Sequence, residues 1–199
     1  MLNISSNYNS SPYAREWNTV QKQTSAYTKT KITDAMDSSN SIRTTFISNG
    51  DTSGDLYGMT AYFDDNSTPE HPVMLVHVYG GSRNEGYRID LTKVNPCHAS
   101  ELEMFALCSY ADKIGEGSGS TFGSFETLKA LDMQASLGTG EEADNPLLSS
   151  GNAFRTLKKN WIQTIKKGLL QLQNIKQEDA IRLFSRGTKL KGFIEKFSH

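Results

Sequence analysis

The chain is poor in cysteine, in net charge and in long apolar runs, and each shortage removes a class of protein. Two cysteines in 199 residues, Cys97 and Cys108, cannot build a disulfide framework and lack the paired spacing of a zinc module. With helix between them they lie more than a turn apart, too far to bridge. Both are expected as free thiols, which fits a reducing compartment. The most apolar segment, around Val73 to Val78, is far too short to span a bilayer. Residues Met1 to Asn7 carry neither a basic nor an apolar leader region. The expectation is a cytoplasmic protein, or one exported without a cleaved signal peptide.

The formal net charge is −1, so the whole molecule is not a polyelectrolyte. Catalytic signatures are missing too. There is no HExxH, GxSxG, CxxC or kinase-like set. The glycines at Gly80-Gly81 lack both the GxGxxG spacing and a following Lys-Ser/Thr pair, and they lead into a strand, so a hairpin turn explains them. No cofactor is expected. An enzyme is the less favoured class, although a site assembled from distant residues leaves no local signature.

Aromatic residues are present at 10%, which a disordered chain would lack. Hydrophobic residues at 36% and a mean hydropathy of −0.52 describe a core that carries polar segments. Residues 1–40 are rich in Ser, Thr, Asn, Gln and Tyr, with Trp17, Val20, Ile32 and Met36 scattered among them. They read as a flexible arm, disordered alone or extended over another surface, with a weak helix across Ala14–Gln23.

The segment from Ser41 to Val94 reads as four short strands joined by turns: Ser41–Ser48, Leu56–Phe63, Pro72–Tyr79 and Tyr87–Val94. Asn95 before Pro96 then offers a helix start, and a helix runs from there, or from Ser100, to about Ile114 and stops at Gly115. Its apolar residues fall on two sides, so it belongs in the centre of the domain. After a Gly/Ser loop, Ser124 caps a second helix with the stripe Phe125, Leu128, Leu131 and Ala135. The expected class is therefore α+β. A small antiparallel meander packs on helices within 41–137, residues 138–150 form an acidic linker, and residues 151–199 form a basic helical region.

That last region has the most regular pattern. From Asn152 as a cap, Phe154, Leu157, Trp161, Ile165, Leu169 and Leu172 recur at helical steps. Arg155, Lys159, Lys166 and Lys167 fall on the other face. Gly168 interrupts, and Gly187 splits the remainder of the chain into two short helices. From Gly151 on, eleven Lys and Arg stand against Glu178, Asp179 and Glu195. The asymmetry suits a protein partner, a second copy, an anionic membrane surface or the acidic remainder of the same chain. The stripe and its basic face are thus the candidate interaction or membrane-facing residues, although the same pattern also describes, and more often means, an ordinary surface helix whose stripe meets the core. Nucleic acid is not expected, because no known module or exposed aromatic set accompanies the basic residues.

Two chemical constellations merit weighing. Glu101, Cys108 and Asp112 share one arc of the first helix, but Glu101 and Cys108 stand roughly 10 Å apart along its axis, so no metal is expected. Cys108 as a nucleophile requires a histidine from His71, His77 or His98 beside it in space. Finally, Val94-Asn95-Pro96 and Ala99-Ser100-Glu101-Leu102-Glu103-Met104-Phe105-Ala106-Leu107, with the opening Asn3-Ile4-Ser5-Ser6-Asn7-Tyr8, resemble small proteins of spore-forming Gram-positive bacteria (Firmicutes). That group has no assigned activity, so the resemblance implies a bacterial accessory protein and no functional residues. The function expected is non-catalytic, through protein–protein contact or self-assembly. A membrane-active protein using helix 152–175 and a Cys/His hydrolase are the alternatives.

Overall fold

A computed structural model describes residues 25–33, 36–48, 56–81, 83–137, 153–173 and 175–198. The helix expected across Ala14–Gln23 and the linker 138–150 lie outside the described residues. Five antiparallel strands form the sheet: β1 (Tyr27–Thr30), β2 (Arg43–Ser48), β3 (Leu56–Phe63), β4 (Val73–Gly80) and β5 (Arg83–Asp90). Their order is β1-β5-β4-β3-β2, so β2 to β5 make the expected meander and β1 adds beside β5. β5 begins earlier than the sequence suggests, because the hairpin pairs Gly80 with Arg83. A turn this tight needs left-handed backbone, and Gly80 and Gly81 supply it with φ of 115° and 58°.

Within the segment 1–40 read as an arm, the described residues Tyr27–Thr30 lie extended along β5. Tyr27 and Lys29 pair with Ile89 and Tyr87 in register. The Tyr27 hydroxyl donates to the Arg155 carbonyl at 3.2 Å, and the Lys29 ammonium meets Glu85 at 2.5 Å. Four residues of weak alternation gave no local sign of a strand; partners more than fifty residues away create it.

The sheet's inner face presents Met59, Ala61, Met74, Val76, Val78, Tyr87 and Ile89, all fully buried. Against it lies α1 (Glu101–Lys113), which also touches α2 (Gly123–Leu137). α2 in turn packs on α4 (Trp161–Leu172) and α5 (Glu178–Ile194). With the sheet on one side and helices on another, α1 buries every residue from Glu101 to Ala111. This accounts for its apolar residues on two faces. On the outer face of the sheet, Met36, Tyr62 and Leu75 form a small second cluster.

The start of α1 is a capping box. The Ser100 hydroxyl accepts from the Glu103 amide, and the Glu103 carboxylate accepts from the Ser100 amide at 2.6 Å. The N-cap is Ser100; Asn95 instead caps a separate 3-10 turn at Pro96–His98. A second partner then reaches Glu103. The two-residue strand β6 (Ala99–Ser100) pairs with β7 (Lys158–Lys159), and Lys158 meets Glu103 at 3.1 Å. The Trp161 indole donates to the Ala99 carbonyl at 2.8 Å.

This pairing breaks the single helix expected from Asn152. A short α3 (Ala153–Thr156) precedes β7, and Asn160 restarts the helix as α4 by accepting from the Gln163 amide at 2.9 Å. The backbone of residues 158–159 is committed to β6, so it cannot also form helical bonds. The expected split at Gly187 does not occur, and α5 runs through it. Both glycines are places of close approach. A Cβ on Gly168 would lie 2.3 Å from the Leu131 carbonyl oxygen of α2. One on Gly187 would meet the Leu131 Cδ1 methyl at 2.7 Å. Residues from Ala26 to Ile194 share one core cluster.

Mutations at these close contacts should differ in cost. Gly168→Ala forces backbone against backbone and should cost about 3 kcal/mol, whereas Gly187→Ala meets a movable methyl and should cost about 1 kcal/mol; urea midpoints of the two variants would show whether that order holds. Glu103→Ala strips the cap from Ser100 and strands Lys158, and should cost about 3 kcal/mol. An unchanged urea midpoint would mean that the carboxylate is not an anchor.

Candidate interaction site

The surface feature that stands out lies where β2 borders the α1–α2 corner. Thr44, Thr45, Phe46 and Ile47 make β2 a strong strand former. Its first residue, Arg43, crosses to the corner: Nε meets Asp112 at 3.0 Å and an Nη donates to the Thr121 carbonyl at 3.2 Å. Thr45 follows the same direction two residues on and donates to Glu126 at 2.5 Å.

Asp112 is the hub of that corner. Its carboxylate accepts from the Ser124 amide at 2.9 Å and the Ser124 hydroxyl at 2.6 Å. The Ser124 hydroxyl accepts from the Ser118 amide at 2.7 Å. Gly117 and Gly123 leave room for this; a Cβ on either would lie within 3 Å of an Asp112 oxygen. The chain's own carboxylate thus fills the N-terminus of α2, where an external anion would otherwise bind.

Between strand and corner runs an open groove of about 460 Å³. Ser41, Ile42, Arg43, Thr44 and Thr45 form one wall, and Thr121, Phe122 and Glu126 form the other. Phe122 is 77% exposed at its rim. Among the described residues β2 pairs with β3 alone, so its other edge offers unpaired peptide groups. The groove holds no cysteine or histidine, its one cation is tied to Asp112, and its carboxylate accepts from Thr45. Such a lining can hold an extended chain by main-chain bonds.

The residues predicted from the sequence sit elsewhere. Phe154, Trp161, Ile165, Leu169 and Leu172 are buried and Leu157 is half-buried, so the stripe read as an interaction or membrane-facing surface faces the core instead. Phe154 lodges between Tyr57 and Tyr87, with ring centroids at 5.3 and 6.2 Å. The reason is that α4 must cover α2, and only its apolar side can do so. The basic face is partly spent as well. Arg155 donates to the Tyr87 hydroxyl at 2.9 Å. Lys159 meets Asp132 at 2.6 Å and lies 4.0 Å from the centre of the Trp161 ring. Lys166 approaches Glu195 at 3.9 Å, and Lys167 is exposed. Burial pushes the Lys159 ammonium down, against the pull of Asp132.

Cys108 is fully buried, and desolvation, with Asp112 adding, pushes its thiol well above the ordinary value. A nucleophile needs the reverse. His77 lies on the sheet's outer face and contacts Asn84 at 2.8 Å, while His71 and His98 are exposed. Glu101 is taken by Lys129 at 2.7 Å. Among the described residues no group of three or more His, Cys, Asp or Glu is placed to hold a metal, and no helix is long and apolar enough to cross a membrane.

No protein-family model matches the chain, and no curated protein or solved structure matches it either. The groove residues were missed in the sequence because an edge is a property of strand order. Phe122, a bulky apolar residue inside a Gly/Ser loop, was the one local sign.

Cys97 is exposed and Cys108 is not. The native protein should therefore take up one equivalent of a disulfide thiol reagent quickly and the second only in denaturant. Two fast equivalents would mean that Cys108 is open to solvent.

Proposed function

We propose that this chain is a non-catalytic accessory protein that acts by protein–protein contact, docking an extended segment along the edge of β2 that no other described strand occupies. The observation that carries this reading is the combination of an edge strand with an adjoining open groove rimmed by Phe122. An added strand would take its main-chain bonds from β2 and rest side chains in the groove, where alternate residues point. The ionisable groups nearby are engaged in structural pairs, which favours binding over catalysis.

The buried stripe and the buried Cys108 lend no support to the membrane or hydrolase readings. Two free thiols favour a reducing compartment, so we place the protein in the cytoplasm.

Selection from a random displayed-peptide library tests the proposal. The wild type should enrich peptides with strand-like alternation. Thr44→Lys, which adds a charge to the exposed edge, and Phe122→Asp, which makes the rim polar, should each lose that enrichment. Equal enrichment by all three proteins would place the binding elsewhere.

A further inference from the structure

We infer that the segment docked on the β2 edge is the β2 strand of a second copy, paired antiparallel across a two-fold axis. The inference rests on the strand-docking reading of this edge.

The two edges of the sheet differ in how they are guarded. β1 has four residues and carries Lys29, and short edges with a lysine discourage pairing. β2 has six residues, Arg-Thr-Thr-Phe-Ile-Ser, with no lysine, proline or glycine. An unguarded edge of this composition is a template for a like strand.

Its charge also suits self-pairing. Arg43 is the single charged residue of β2, and it is neutralised within its own copy by Asp112. A pairing centred on Thr45 sets Thr45 opposite its own copy, Thr44 opposite Phe46 and Arg43 opposite Ile47. The two Arg43 positions then stand roughly 14 Å apart along the strands, at about 3.4 Å per residue. That exceeds the screening length of about 8 Å at physiological salt, so the cations do not oppose association. A strongly charged foreign strand would find no free counter-charge on β2 itself.

An antiparallel contact of a strand with its own copy is isologous and closes at two subunits. The resulting ten-stranded sheet ends on both sides at β1, the guarded edge, so the assembly stops there. The buried surface is modest: two six-residue strands and two Phe122 rims fall short of the roughly 1,200–2,000 Å² of a standard interface. The dimer is therefore a weak, concentration-dependent one.

Sedimentation velocity on the full chain across a wide concentration range tests this. The expected result is a reversible monomer–dimer equilibrium, weakened about tenfold or more by Thr44→Lys and by Phe122→Asp. Far-UV circular dichroism should be unchanged in both variants and thermal melting unchanged in Phe122→Asp, whose ring is exposed, while Thr44→Lys gives up the 2.9 Å hydroxyl contact with Thr60 and should melt slightly lower. A dimer that neither variant weakens overturns the inference. So does a strict monomer. If the monomer still binds a labelled synthetic strand peptide in a Thr44-dependent way, strand docking stands and self-pairing falls. If it binds none, both fall.

Discussion

Glu103 is 1% exposed at the first turn of α1, and the C-terminal third of the chain reaches the core through it. A carboxylate buried this deeply is costly unless its lone pairs are filled. Here the Ser100 amide and hydroxyl fill one oxygen and the Lys158 ammonium the other. The capping box starts the central helix, the lysine anchors β7 beside β6, and Trp161 closes over Ala99. One side chain thus joins a local event, helix initiation, to a contact spanning 55 residues. Glu101, two residues earlier and equally buried, repeats the device toward α2 through Lys129.

The charge asymmetry of the sequence takes its meaning from this arrangement. The lysines after residue 151 face carboxylates of the earlier chain as well as solvent: Lys158 meets Glu103, Lys159 meets Asp132 and Lys196 meets Glu116. The exposed pairs among them contribute little, while those closed over by Trp161 and the helix ends are costly to break. The basic region and the acidic remainder are thereby complementary parts of one fold.

The β2 edge is held in shape from inside. Arg43 and Thr45 tie β2 to the α1–α2 corner, and Asp112 stiffens the corner by filling the start of α2. Both walls of the groove are therefore held by side-chain hydrogen bonds of the chain itself, so the groove is preformed.

The sequence by itself determined the class of the fold, because periodicity is local. The β-formers of Leu56–Phe63 and the apolar run of Val73–Val78 specify strands, and the stripe from Phe125 to Ala135 specifies an amphipathic helix whichever partner it meets. The two-sided apolar pattern of residues 102–114 likewise announced a central helix. Only the tertiary structure decided the rest. Tyr27–Thr30 becomes a strand because β5 is there to pair with it. The helix expected from Asn152 breaks because β6 claims residues 158–159, and Gly187 does not break α5 because Leu131 and Leu169 need its missing side chain. The stripe of α4 could have faced a partner or a membrane, and it turns inward because α2 lies uncovered without it. Which strand ends at an edge depends on the order of all five, a long-range property that no window of sequence contains.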